Sequence, residues 1–487
     1  MTTDDNPDQI LIVGGGFAGL CMGIKLKAAG LPFTILERAD DIGGTWRDNR
    51  YPGCACDVPA NLYSFSFDPN PGWTRTYAGQ EEIWAYLRRC RDRYGLGPHI
   101  RCGEEVVRAE YDEGRALWRV QTRTGGVREA RVLVSAAGAL SNPAWPELPG
   151  LERFRGARFH SATWDRAFEL RGKRVAVIGT GASAIQFVPQ IAPDVARLDL
   201  YQRTPPWVVP RNDRPVSRFR QWLFRALPFT QRLIRGAIYC KLEGRVIPFV
   251  LSPSLMKLAE IAARRHLAHQ IPDGELRRSL TPDYVMGCKR VLISDDYYPA
   301  LLRPNVELVT ARIREVSARG VIDESGRERE VDAIVCGTGF KVQEPLPAGT
   351  FFGRGGLDIT DAWKHGAEAY KGTTVSGFPN LFMIVGPNTG LGHNSMVYMI
   401  ESQVTYVMDA IRQMRAHGWR AVDVAPEAQA GWNRALSQHQ RGTVWQSGCK
   451  SWYLDKNGKN TAIWPGFTFR FRRATARFDA DQYRISR

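Results

Sequence analysis

Two glycine-rich turns, each set between an apolar run and a helix-like stretch, constrain this chain more than any other feature. The first is Gly14-Gly15-Gly16-Phe17-Ala18-Gly19; an apolar run precedes it, a helical pattern over 20–29 follows, and a second apolar run over 32–36 ends at Glu37. The second is Gly179-Thr180-Gly181-Ala182-Ser183-Ala184, between the apolar run 173–178 and another helical stretch. Strand, glycine turn, helix and strand make a βαβ unit. Its glycines let a pyrophosphate reach backbone N–H groups at a helix N-terminus, where the helix dipole favours negative charge. One such match is weak; two, about a domain length apart, are not. The expected fold class is therefore α/β, with two Rossmann-like dinucleotide-binding domains.

The residue closing each unit separates the two ligands. Glu37 stands 23 positions after Gly14. A carboxylate there accepts hydrogen bonds from adenosine ribose hydroxyls and repels a 2′-phosphate, so this unit suits FAD or NAD. The equivalent position of the second unit is Gln202, followed by Arg203 and Thr204. A guanidinium pairs bidentately with phosphate, so this unit suits NADP(H). Together they imply electron transfer from NADPH to a bound flavin. Flavoproteins of this architecture are mainly disulfide reductases and monooxygenases. Gly43-Gly44-Thr45-Trp46 puts Trp where the reductases carry a redox cysteine, and Cys54 and Cys56 are spaced CxC. A monooxygenase is the better reading.

A length of 487 residues allows two or three domains. The first is expected to be discontinuous, 1–148 and 376–487, enclosing an NADP domain at 149–375 with a helical insertion at about 211–285. The Pro-rich stretch 142–150 reads as the linker. Nine cysteines show no CxxC pair and eight histidines no ligand spacing, so no metal is expected. The polar N-terminus is no signal peptide and no apolar run reaches the ~18 residues of a membrane span. A reducing, cytoplasmic setting is expected. The net charge of +16 raises a polyanionic partner, and much of it is local: 211–270 holds 12 basic and three acidic residues. There Arg218, Arg220, Arg225, Arg232 and Arg235 alternate with Trp222, Leu223, Phe224, Leu233 and Ile234. An apolar stripe packed on the protein with solvated arginines is preferred to a peripheral membrane-binding module. No nucleic-acid motif accompanies the charge.

Between the two units lies Phe154-x-Gly156-x-x-x-His160-x-x-x-Trp164-Asp165. With this linker motif the chain resembles the class B flavoprotein monooxygenases, and the Baeyer–Villiger type within them. Tyr51-Pro52-Gly53-Cys54-Ala55-Cys56-Asp57 and Gly287-Cys288-Lys289-Arg290 are similar to further segments of that family. The segments around Gly386–Asn394 and Trp445–Tyr453 look closer to the branch near 4-hydroxyacetophenone and ethionamide-activating monooxygenases. The resemblance implies NADPH- and dioxygen-dependent oxidation of ketones to esters or lactones through a C4a-peroxyflavin, with sulfoxidation as a further activity. It implies that Arg290 stabilises that peroxide, that Asp57 orients Arg290, and that Lys289 helps hold the 2′-phosphate. His160 is read as a structural linker residue rather than a base. An S- or N-oxygenating enzyme without ketone activity is the alternative.

The residues expected at FAD are Gly14, Gly16, Phe17, Ala18, Gly19, Glu37, Gly44, Thr45, Trp46, Asp57, Tyr63, Val106 and Asn388. Those expected at NADP are Gly179, Thr180, Gly181, Ala182, Ser183, Gln186, Arg203, Thr204, Lys289 and Arg290. The substrate is expected to be a small ketone or thioether, used with dioxygen.

Overall fold

The structure, a computed structural model, describes residues 9–344, 346–449 and 451–487. Both glycine turns sit at the carboxyl ends of parallel strands. The first sheet runs Leu381–Met383, Val132–Ser135, Ile10–Val13, Phe33–Glu37, Ile100–Cys102 in spatial order. The second runs Val306–Val309, Arg197–Tyr201, Arg174–Ile178, Ala333–Cys336, Ala157–His160. Every pairing within these two sheets is parallel. Their central strands, Ile10-Leu11-Ile12-Val13 and Arg174-Val175-Ala176-Val177-Ile178, are nearly continuous apolar runs. That is the pattern of strands covered on both faces. The helices Phe17–Ala28 and Ala184–Ile191 leave the turns and pack on their own sheets. Gly19 lies so close to the strand end that a Cβ would overlap the Gly14 carbonyl oxygen. This contact draws the helix N-terminus tight against the turn.

One boundary differs from the expectation. The stretch 346–375 was assigned to the NADP domain, but Leu346, Phe351, Ile359, Trp363 and Val375 pack with Leu11, Leu36 and Leu133 of the first sheet. Strand Phe351–Phe352 pairs with Val106–Asp112, in a four-stranded sheet with Leu117–Thr122 and Val127–Ala130. The two connections between the domains cross as an antiparallel bridge, Pro143 with Phe340, and Ala144 N–H donates to the Gly339 carbonyl at 2.9 Å.

The helical insertion leaves the second unit after Val208–Val209 and returns at Leu292–Ile293; these two short strands pair in parallel and close its neck. It comprises helices Arg218–Ala226, Pro228–Glu243 and Met256–Gln270, a π-helical turn Ile247–Leu251 and the short helix Glu275–Ser279. Its first residues run along the flavin-side loop: Thr76 N–H donates to the Arg214 carbonyl and Val216 N–H to that of Thr74.

The insertion turns apolar side chains inward, with Phe224, Leu242, Phe249, Met256, Ala263 and Leu267 buried. Polar groups share that inner face. Buried Gln231 donates to Asn61 Oδ1 at 2.9 Å and the Asn70 carbonyl at 2.7 Å. Arg235 donates to the Asn61 carbonyl at 3.0 Å. Glu243 accepts from Asn394 Nδ2 at 2.6 Å. The apolar residues Phe219, Trp222, Leu233 and Leu258 remain 57–69% exposed. Among the described residues no single helix is long and apolar enough to cross a membrane.

Because a side chain at Gly19 has no room, Gly19→Val should lower stability by about 1–3 kcal/mol. A lowered melting temperature and loss of flavin absorbance from the purified protein are the expected readings.

Candidate active site

The first turn is shaped for a phosphate-bearing group. A Cβ at Gly16 would find nothing nearer than the Gly44 Cα at 3.8 Å, and no side chain caps helix Phe17–Ala28. The helix-end N–H groups are left for a ligand. Glu37, buried at the end of its strand, accepts from Gly15 N–H at 2.6 Å and Ala39 N–H at 2.9 Å. These bonds fix the carboxylate beside the turn and leave each oxygen a second lone pair. Phe17, Trp46 and Tyr63 form one aromatic cluster: Phe17 and Tyr63 meet edge-on at 5.2 Å, and Trp46 Nε1 donates to Tyr63 Oη at 3.1 Å. Thr45 opens the short helix Thr45–Asp48 that carries Trp46, next to Gly44. Val106 begins the flanking antiparallel sheet. Asn388 is buried with its amide bound to the Asn460 carbonyl at 2.9 Å and that of Ile463 at 3.3 Å. It fastens its turn to the C-terminal segment, its backbone N–H also donating to the Thr461 carbonyl at 2.8 Å.

The second turn is built alike. Gly179 has φ +105° and lies against Gly337, and Thr180 Oγ1 donates to the Thr204 carbonyl at 3.3 Å. Gly181, Ala182 and Ser183 lead into helix Ala184–Ile191. Arg203 is exposed and has no carboxylate partner among the described residues. Lys289 lies 4.6 Å from the centre of the Tyr284 ring; burial, and then the nearby Arg203 charge, pull its pKa down. Two cations brought together suit a dianionic phosphate. Gln186, expected at NADP, bridges the two units. Its Oε1 accepts from Tyr51 Oη at 2.9 Å, and its Nε2 donates to the Ala55 carbonyl at 3.0 Å.

That clamp sets the loop carrying Asp57. Gly53, with φ +76°, passes so close to helix Ala184–Ile191 that a Cβ would stand 2.8 Å from the Gln186 carbonyl oxygen. Asp57 then meets Arg290 across the cleft: Nε donates to Asp57 Oδ2 at 3.1 Å and Nη2 to the same oxygen. Both side chains keep 31% exposure, so the pair lines the cleft rather than the core. Burial pushes Asp57 up, but the Arg290 charge and hydrogen bonds outweigh it and hold the carboxyl below its usual range. The Asp57 charge raises Arg290 further. The pair is ionic at any working pH.

The linker residues are placed apart from this pair. His160 is buried at the end of the last strand of the second sheet; its Nδ1 accepts from Ala162 N–H at 3.1 Å, and burial lowers its pKa. The imidazole is therefore neutral near pH 7. Phe154 and Gly156 pack against the same sheet, and Trp164 sits edge-on to Phe159 at 5.0 Å.

Four residues of the cleft were not singled out from the sequence. Tyr453, buried beside Arg290, is pushed up to about 12, mainly by burial. Arg211 donates to the Cys56 carbonyl at 3.4 Å and lies 5.2 Å from the Tyr77 ring centre. Arg245 is charge-coupled to Tyr77 and Asp57. His393 is buried with neither ring nitrogen bonded among the described residues, and burial takes its pKa to about 4. The only available signals were positional: His393 follows the closing glycine turn, and Arg211 follows the exit of the second unit. Cys288, next to Lys289, faces Cys449, with their Cα atoms 6.3 Å apart.

Comparison with known proteins agrees with this architecture. The family described as pyridine nucleotide-disulphide oxidoreductase matches residues 11–228. A Baeyer–Villiger monooxygenase of Pseudomonas aeruginosa is 52% identical over 98% of this chain and 91% of its own length. One of Streptomyces coelicolor is 48% identical over 98% and 93%. A closed crystal structure of cyclohexanone monooxygenase superposes with a TM-score of 0.88 at 31% identity, over 99% of this chain and all of that one. The chain thus belongs to the Baeyer–Villiger monooxygenases, flavin enzymes that use FAD, NADPH and dioxygen.

Hydrogen bonds to charged groups contribute ~1.5–3 kcal/mol each. Arg203→Ala should therefore raise the KM for NADPH by about 10–100-fold and narrow its margin over NADH. Initial rates with both nucleotides measure this.

Proposed function

We propose that the cleft between the two units oxidises ketones to esters or lactones, with Arg290 as the catalytic residue and Asp57 as its positioning residue. The observation that carries this is the ion pair: a guanidinium held at the cleft surface by a carboxylate from the opposite domain. FAD, reduced by NADPH, supplies the activation of dioxygen when bound. The protein groups supply electrostatics and placement. Arg290 cannot release its proton near neutral pH. It is a fixed positive charge for the negative charge that develops on oxygen as the carbonyl is attacked. Asp57 holds two of its N–H groups on one side and leaves the remaining donors for the substrate side. Arg203 and Lys289 take the 2′-phosphate, and Glu37 takes the adenosine ribose of FAD. His160, neutral and bound within the second sheet, is structural.

Arg290→Ala should leave flavin reduction by NADPH intact in stopped-flow, while ester yield from a ketone falls by about 100-fold or more. Ester formation that survives the substitution overturns the assignment. A ketone and a thioether offered together separate the ketone reading from pure sulfur oxygenation.

A second reading is favoured by one specific observation, the exposed aromatic and aliphatic face of the insertion. Phe219 and Trp222 stack at 5.7 Å on the surface, flanked by exposed Arg218, Arg220, Arg225 and Arg232. Apolar side chains ringed by arginine fit the interface of an anionic bilayer. Phosphatidylserine-containing vesicles should retain the protein at low salt. Trp222→Glu together with Arg220→Glu should abolish retention without affecting turnover of a soluble ketone. Retention by the doubly substituted protein, or self-association through this face in sedimentation equilibrium, refutes lipid as the occupant.

A further inference from the structure

Cys288 and Cys449 are 161 residues apart in sequence, yet their Cα atoms stand 6.3 Å apart, within the reach of a disulfide. Each belongs to a segment with a clear place in the site. Cys288 is fully buried in the turn Gly287–Arg290, directly before the lysine beside Arg203 and the arginine paired with Asp57. Cys449 is only partly buried and follows the short turn Val444–Gln446. The two segments already share a core. Val444, Trp445 and Tyr453 pack with Phe249 and Met256 of the insertion and Met286 of the turn region, and a Cβ on Gly287 would stand 3.2 Å from Val444. The remaining seven cysteines are free.

We propose that Cys288 and Cys449 are a reversible redox modification site: the cross-link fastens the 444–453 segment to the Gly287–Arg290 turn and retards release of the dinucleotide. The effect on the nucleotide rests on the reading of Arg203 and Lys289 as the 2′-phosphate anchor. With the bridge closed, Lys289 cannot move off the phosphate without dragging a segment whose Trp445 and Tyr453 are buried. With the bridge open, the turn and the segment keep their side-chain packing but lose the covalent tie.

The chemistry uses hydrogen peroxide. A flavin monooxygenase that takes electrons from NADPH but finds no substrate returns NADP⁺ and hydrogen peroxide from NADPH, a proton and dioxygen. The thiolate of the more accessible Cys449 attacks peroxide; an S–O bond forms, the O–O bond breaks and hydroxide leaves. The Cys288 thiolate then attacks the Cys449 sulfur, the S–S bond forms and the S–O bond breaks, releasing hydroxide that is protonated to water. Two thiols and one peroxide give one disulfide and two waters. The sulfurs lose two electrons and the peroxide gains them. A thiol reductant reverses the change by exchange, itself ending as a disulfide. Turnover without substrate would thus close the site on its own product nucleotide.

The test uses the FAD-loaded full chain, reduced and then treated with hydrogen peroxide. A thiol titration in denaturant should fall from nine to seven, and non-reduced peptide mapping should recover one peptide joining Cys288 to Cys449. NADP⁺ binding, followed by perturbation of the flavin spectrum, should be tighter in the oxidised form by about 5-fold or more, with turnover slowed and both restored by reductant. Cys449→Ser should neither form the peptide nor shift the affinity. Because the wild-type comparison is reversible, it decides the matter even if that variant folds poorly. Carrying the measurements in a Cys102→Ser, Cys240→Ser background removes the two exposed free thiols. Absence of the joined peptide, or equal NADP⁺ affinity in the two forms, overturns the proposal. Unaltered NADP⁺ affinity in Arg203→Ala would instead overturn the phosphate assignment.

Discussion

The contact between Asp57 and Arg290 joins the two halves of the molecule at the cleft proposed as the reaction site. Each residue comes from a different dinucleotide unit, and neither can be placed without the other half being in register. The chain of dependence is short. The second sheet sets helix Ala184–Ile191; that helix presents Gln186 to the Ala55 backbone; the clamped loop aims Asp57; Asp57 holds Arg290. Gly53 is the spacing element, since any side chain there would push loop and helix apart. Removing one partner would leave the other charge at the cleft without its counterion. The pair therefore serves as a positional lock between the units as well as an electrostatic device.

The parts of this fold legible in the sequence are those whose physical requirement is local. A parallel strand buried on both faces must be an apolar run, and a helix drawn tight to a turn must carry Gly19. Glu37 and Arg203 announce opposite ligands because a carboxylate and a guanidinium cannot serve the same ribose position. What escaped notice depends on contacts made at long range. Tyr453 and Cys449 reach the Arg290 turn from the far C-terminal region, and no periodicity in their own neighbourhood signals it. The boundary near 346–375 was misplaced because strand Phe351–Phe352 is two residues long and earns its place by pairing with Val106–Asp112. The bridge that Gln186 makes to the opposing loop is likewise a long-range contact that its own neighbourhood does not announce.

The insertion is anchored by buried apolar side chains and by polar groups together. In helix Pro228–Glu243 the inward side carries Gln231, Arg235 and Glu243, each satisfied by hydrogen bonds to the flavin-side loops or the closing turn, and the outward side carries Phe229 and Leu233. An amphipathic count cannot tell which face is turned in. Arg235 gives up hydration, which lowers its pKa, and receives carbonyl and hydroxyl oxygens rather than an acid. The inner face therefore neutralises little of the local charge. The outward arginines add to it within a Debye length of about 8 Å, the range over which an anionic surface would feel them. Arg245 and Phe249, at the cleft end of the same insertion, show that one helical layer has its basic apolar side outside and part of the reaction cleft inside. The positive charge of the chain is better understood as two separate devices, one at the cleft and one on the surface, than as a single binding face.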